Sequence, residues 1–292
     1  MYLSLPLLTQ SILSGLLIGG ILALIAVGLN LIFGVMRVLN FAHGQFVMLS
    51  MYLCYWLCIY FQLNPYYSLI LGVPIFFLLG IIVQKFLINH ILEASEHSQI
   101  ILTLALALFF ESLAVILWTP DYRTINLGYE KWVYQFHDVA LSFPRFIGFI
   151  LALAVTLSLY LFLTKTDFGN SIRAASDNRK GALIIGINVK RIYYITFGLG
   201  TVCAAIAGAI MTTFFYIFPQ VGMKFTLTSF VIVVLGGLGS FGGALIGGLA
   251  VGLVESLTVL FLPGTLKELV TFTLLIIILI WKPGGLLGAP AR

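Results

Sequence analysis

Apolar residues run along this chain in long blocks separated by short polar interruptions. A bilayer core about 30 Å thick requires about 20 consecutive apolar residues in a helix. Blocks at about Leu8–Phe33, Phe41–Phe61, Tyr66–Ile88, Gln99–Trp118, Phe146–Leu163, Ile192–Phe218 and Thr265–Trp281 meet or approach that length. Each predicts a membrane-spanning helix. The stretch from Leu227 to Leu260 differs, because one helix of that length would extend about 50 Å. Its middle reads LGGLGSFGGALIGG (Leu235–Gly248), with six glycines between Gly236 and Gly247 and another at Gly248. Glycine weakens a helix and permits irregular backbone, so a break is expected near Gly239–Gly243. Irregular backbone at membrane depth survives only when buried in protein or lining a wet cavity. The same glycines also suit a surface where helices approach closely. The expected count is eight segments if the stretch is continuous and nine if it is broken.

Charge orients these segments. The connection at about 165–191 carries Lys165, Arg173, Arg179, Lys180, Lys190 and Arg191 against only Asp167 and Asp177. By the positive-inside rule it is cytoplasmic. Counting back through five segments places the amino terminus outside, and MYLSLPLLTQ carries no Lys or Arg. Counting forward through four segments places Lys282 and Arg292 inside, whereas three would place them outside. The charge pattern therefore favours the broken version. The opening residues also lack a basic n-region and a small-residue cleavage site, so no cleavable signal peptide is expected.

Composition narrows the class. Of 292 residues, 61% are hydrophobic and 9% charged, with a mean hydropathy of +1.12. An ordinary soluble domain carries about 25% charged residues. The expectation is one integral-membrane domain over residues 1–292, all-α and polytopic. The net charge of +5 comes from residues lying between apolar blocks. It reads as a topology signal rather than a nucleic-acid footprint. Cys54, Cys58 and Cys203 lie in apolar blocks and are expected to pack there, with no disulfide framework or metal site. The outer connection Thr119–Pro144 balances Arg123 and Lys131 against Asp121, Glu130 and Asp138. Its Tyr122, Tyr129, Trp132, Tyr134 and Phe136 suit headgroup level or a surface for an external partner.

Three polar constellations interrupt the apolar pattern. TKTDFGNSIRAASDNRKGALIIGINVKRI (Thr164–Ile192) is polar and basic to Ala182, then apolar to Ile187 with Gly186 interrupting. It predicts a short amphipathic helix that docks in a partner's groove or lies on anionic lipid. RVLNFAHGQF (Arg37–Phe46) links the first two spans through Asn40, His43 and Gln45. It reads as a tight turn with satisfied polar groups, or as a polar site. Glu111 and Glu255 sit inside apolar runs, where carboxylates are costly and face the bundle interior or a cavity. Helix fastening and solute contact both fit them. No spacing suits a catalytic triad or a metal centre, and no GxxxxGK[ST] occurs. ATP hydrolysis by the P-loop route is excluded.

These motifs resemble those of LivH-type permeases of branched-chain amino acid ABC importers. The resemblance is carried by LIAVGLNLIFGVMRVLNFAHG (Leu24–Gly44), IRAASDNRKGALIIGINVKRI (Ile172–Ile192), AAIAGAIM (Ala204–Met211), VVLGGLGSFGGALIGGLAVGLVES (Val233–Ser256) and KPGGLLG (Lys282–Gly288). NFAHG followed by LGGLGS favours the LivH-like over the LivM-like subunit. The resemblance implies a type II ABC importer bundle in a bacterial inner membrane. A second, LivM-like permease would pair with it around a central pathway. An external binding protein would deliver a small polar solute, and two cytoplasmic ATPases would carry the ATP and Mg; this chain would bind no cofactor. The basic loop then resembles a coupling helix, Ser171–Gly186, with Arg173, Ala174, Asp177, Arg179, Lys180 and Gly186 facing an ATPase. Asn40, His43, Gln45, Glu111, Gly237, Gly239 and Glu255 are the pathway candidates. Branched-chain amino acids are the expected solute, with urea, an amide or another amino acid as alternatives. A stand-alone secondary transporter, or a membrane scaffold or enzyme subunit, is the rival class. The likeness between Ile18–Leu29 and Ile246–Leu257 is too general to establish an inverted repeat. Two departures stand out. Many relatives carry an acid after NFAHG where this chain has Gln45, and NHILEASEHSQ (Asn89–Gln99) lacks the family's basic, proline-containing sequence.

Overall fold

The computed structural model describes residues 5–125, 132–136 and 139–288. Tyr129, Glu130, Lys131, Asp138 and Arg292 lie outside the described residues, as do Met1–Ser4. Eleven α-helices occur among the described residues. Four come first: α1 (Leu5–Met36), α2 (His43–Phe61), α3 (Ser68–Phe86) and α4 (Glu96–Trp118). A short antiparallel hairpin, β1 (Val133–Phe136) and β2 (Val139–Ser142), precedes α5 (Phe143–Lys165). Then follow α6 (Asp167–Asp177), α7 (Arg179–Ile184), α8 (Val189–Met211), α9 (Val221–Gly236), α10 (Phe241–Phe261) and α11 (Lys267–Trp281). Eight helices among these residues are long and apolar enough to cross a membrane, and α9 is a shorter apolar helix.

The long stretch is broken, as the glycine density predicts. Helix α9 stops at Gly236, and Gly237 and Gly239 take φ of 108° and 82°, in the left-handed region where a Cβ is strained. The Ser240 hydroxyl then caps α10 by accepting from the Gly243 amide at 3.1 Å. The two helices fold back on one another. A Cβ on Gly243 would strike the Gly236 carbonyl, and one on Gly247 would meet that of Ile232. The sixth block ends earlier than its hydropathy suggests. Helix α8 stops at Met211, where the Thr212 and Thr213 hydroxyls return to the Gly208 and Ile210 carbonyls at 2.8 Å. Apolar composition continues to Phe218, but the backbone turns away and Ile217 bridges to Arg123.

The bundle has a loop end, carrying α6 and α7, and a hairpin end, carrying β1 and β2. Helix α1 is its axis, buried almost continuously from Gly19 to Ile32, while α11 buries only Thr271. Small residues set the contacts. Gly15 and Gly19 of α1 lie against Gly252 and Gly248 of α10, each pair four residues apart, so the two backbones approach closely. On the opposite side Gly80 of α3 lies against Gly198 and Thr201 of α8. Helices α1 and α8 cross at Gly28 and Gly200, and α2 and α9 meet at Gly44 and Gly222. Helices α1–α4 and α8–α11 thus repeat one packing scheme in opposite directions: α1 on α10 as α8 on α3. Ile18–Leu29 and Ile246–Leu257 are not the equivalent elements of this repeat. They belong to α1 and α10, and their likeness reflects the glycines through which those helices touch.

Candidate functional site

The NFAHG region is a buried turn, and its polar groups are only partly satisfied. Arg37, with φ 55°, ends α1, and residues 38–42 re-enter the bundle as irregular backbone. Val38, Asn40, Ala42, His43 and Gln45 are fully buried. His43 Nε2 donates to the Ile25 carbonyl at 3.0 Å, so α2 begins beside the middle of α1. Backbone at such depth needs partners, and neighbouring hydroxyls supply them. Thr103 of α4 donates to the Leu39 carbonyl at 3.0 Å, and the Gly44 amide donates to Thr226 Oγ1 of α9 at 3.0 Å. Asn40 turns its own Oδ1 to the Ala42 amide at 3.1 Å. Asn40 Nδ2 and His43 Nδ1 have no hydrogen-bond partner among the described residues. Buried polar groups left in this condition are costly, and they mark a polar centre in the bundle. Glu111 of α4 is partly buried and stands beside the Gln45 side chain.

A second cluster lies at the loop end. The basic connection forms two helices rather than the one expected. Thr166 caps α6 by accepting from the Gly169 amide at 3.0 Å. Asn178 leaves helical geometry at φ −148° and caps α7, accepting from the Gly181 amide at 2.9 Å. Ile172 and Ala175 bury one face of α6, while Arg173 and Asp177 are exposed and Ala174 is half-buried. Arg179 pairs with Glu93 at 3.0 Å, within the departing segment Asn89–Gln99. Lys180 is exposed, and Gly186 takes φ 84° in an open turn. Leu183, Ile184 and Ile185 project from this end, Ile184 at 85% exposure.

This cluster is fastened to the glycine break through α1. The Ser176 hydroxyl of α6 donates to the Gly34 carbonyl. One turn back, Asn30 donates to the Ser240 carbonyl at 2.6 Å and accepts from the Gly239 amide at 2.7 Å. Asn30 thus replaces the helical partners that the break removes. A cavity of about 200 Å³ borders Asn30, Gly34, Arg173 and Gly239. The terminal KPGGLLG closes the other side. Its Leu286 and Leu287 amides donate to the Leu235 and Gly236 carbonyls at 2.8 and 2.9 Å, and Gly237 abuts Gly288.

The expected pathway residues do not form one site. Asn40, His43, Gln45 and Glu111 gather at mid-bundle, Gly237 and Gly239 lie toward the loop end, and Glu255 lies toward the hairpin end. Glu255 pairs with Lys267 at 3.1 Å, and Lys224 pairs with Glu268 at 3.4 Å beside it. Sequence reasoning missed Asn30, Arg145 and Lys224. The signal for Asn30 was a single amide in the otherwise apolar run LIAVGLNLIFG. Cys54 and Cys203 are buried, and Cys54 Sγ accepts from the Ser68 hydroxyl at 3.2 Å.

A bundle of apolar helices, with re-entrant backbone around a polar centre and a basic helical pair at one end, defines a polytopic membrane protein. The family described as branched-chain amino acid transport system, permease component, matches residues 11–279, and the chain belongs to that family. It is 26% identical to the high-affinity branched-chain amino acid transport system permease protein LivH of Salmonella typhimurium, covering 96% of each chain. The same figures hold for the permease protein BraD of Pseudomonas aeruginosa. A probable LivH of Methanocaldococcus jannaschii is 27% identical over 96% of this chain and 92% of its own. No solved structure matches the chain.

Proposed function

We propose that this chain is the LivH-like permease subunit of an ATP-driven importer that carries leucine, isoleucine and valine across the inner membrane. The observation that carries the reading is family membership over 11–279, including the basic loop and the glycine break. In this reading the loop end is cytoplasmic, the amino terminus is outside and the carboxyl end inside. A second, LivM-like permease pairs with the chain, and an external binding protein delivers the solute. Two ATPases holding ATP and Mg close beneath α6 and α7. The exposed Leu183–Ile185 tip and the basic Arg173, Arg179 and Lys180 suit a groove with an acidic rim. Movement of α6 reaches α1 through Ser176 and Gly34, and the glycine break through Asn30. Close glycine contacts let α1, α8, α9 and α10 shift against one another with little steric resistance.

Uptake of labelled leucine in cells lacking this chain, with and without a restored copy, tests the solute. Uptake that returns with the gene and falls with excess valine supports the reading. Uptake of urea or an amide instead of leucine overturns the substrate and leaves the permease architecture standing.

A further inference from the structure

Toward the hairpin end, α1, α5, α9, α10, the end of α8 with the turn after it, and the start of α11 line a cavity of about 270 Å³. One water needs only about 10–15 Å³ of such space. Its walls carry both signs of charge: Arg145, Lys224 and Lys267 against Glu255. The remaining lining is largely apolar, with Ile18, Leu22, Met211 and Phe225. Lys224 and Lys267 already have carboxylate partners in Glu268 and Glu255. Arg145 has none among the described residues. Its Nε is buried without a hydrogen bond, and its guanidinium faces only the Phe214 ring, at 5.7 Å. Arg145 is half-buried, and a partly desolvated guanidinium favours an anion beside it. Glu255 uses Oε2 for Lys267 at 3.1 Å, and its Oε1 makes no hydrogen bond among the described residues.

We infer that this cavity is a binding site for a free α-amino acid with an apolar side chain. Arg145, supported by Lys224, receives the carboxylate in the bidentate geometry that a guanidinium favours. Glu255 receives the ammonium through Oε1. Ile18, Leu22, Met211 and Phe225 cover the side chain. Arg145 also borders a wider cavity of about 440 Å³ with Thr124, Ser142 and Tyr216, which gives the site an approach from the hairpin end. Urea, lacking both charges, would leave Arg145 unmatched. The inference rests on the amino-acid reading above and deepens it: discrimination lies within the permease as well as in a delivering protein.

The test measures binding of labelled leucine by scintillation proximity to the purified complex of permeases and ATPases, without the solute-binding protein. The unsubstituted complex should bind leucine. Valine should compete, whereas leucinamide, lacking the carboxylate, and 4-methylpentanoate, lacking the ammonium, should not. Arg145→Gln should weaken leucine binding at least tenfold, and Arg145→Lys, which keeps the charge but loses the bidentate fork, should weaken it less. Lys224→Gln, on another helix, should weaken binding as well, so failure of one variant to assemble leaves the other informative. Binding unchanged in the glutamine variants overturns the site. So does an unsubstituted complex that fails to bind leucine although the complete system imports it. A complete system that does not import leucine overturns the substrate reading itself, and this site with it.

Discussion

Replacing Asn30 by leucine separates the packing scheme described above from local propensity. Leucine is the better helix former and the more favourable residue in a bilayer, so both local rules predict a neutral or stabilising change. The structure predicts the opposite. Asn30 makes two hydrogen bonds, to the Ser240 carbonyl at 2.6 Å and from the Gly239 amide at 2.7 Å. Each contributes about 1 kcal/mol net, and each backbone group left dry costs about 1–3 kcal/mol. The adjoining cavity of about 200 Å³ admits some water to the break, which holds the loss toward the lower end. Asn30→Leu should therefore cost about 2–4 kcal/mol, and Asn30→Ala, which leaves room for water, about 1–2 kcal/mol. Reversible denaturation of the detergent-solubilised protein reads both values. A leucine variant as stable as the parent, or more stable than the alanine variant, would refute the clamp.

The remaining predictions probe the centre of the bundle and its loop end. Gly44→Ala would drive a Cβ into the Gly222 carbonyl and Thr226. Overpacking of this kind costs about 1–3 kcal/mol or more, so monodisperse protein on gel filtration should fall. Gly72→Ala, whose nearest neighbour would be Leu53 at 4.0 Å, should leave it unchanged. Glu111→Gln should lower transport, and the exchange Gln45→Glu with Glu111→Gln should restore it, because the two side chains face each other. Failure of the double exchange would show that the acid must sit on α4. Arg173→Glu and Ile184→Asp alter exposed positions, so membrane insertion should be normal while ATPase stimulation and transport fall; intact transport in both would exclude this face as the ATPase contact.

The limits of a sequence reading follow from which forces are local. The spans were legible because hydrophobic length is a property of consecutive residues. The break was legible because Gly236–Gly248 concentrates residues that disfavour a helix. The turn after Met211 was not, since TTFFYIF is as apolar as the helix before it. Its path depends on threonine hydroxyls and on the bridge from Ile217 to Arg123, which lies far away in the chain. The depth of NFAHG was suggested by the family resemblance but not by the residues alone. Its length and polarity fit a surface turn, and only the seating of His43 on the Ile25 carbonyl, with Thr103 and Thr226 as partners, carries it inside.

The same distinction explains the site residues. Glu255 drew notice because a carboxylate in an apolar run is rare, but its partner Lys267 sits at the start of the next helix, where a cation ordinarily reads as an interfacial anchor. Arg145 opens α5 and reads the same way until its buried, unpaired Nε is seen. Asn30 carries no charge and therefore drew less attention than either acid. Yet together with Ser176 it joins, through α1, two features legible separately, the basic loop and the glycine break. Charge marks where a membrane chain meets water or a counter-ion. The hydrogen bonds that fasten one helix to another run through uncharged donors such as Asn30 and Ser176, whose meaning lies in the carbonyl each one finds across the bundle.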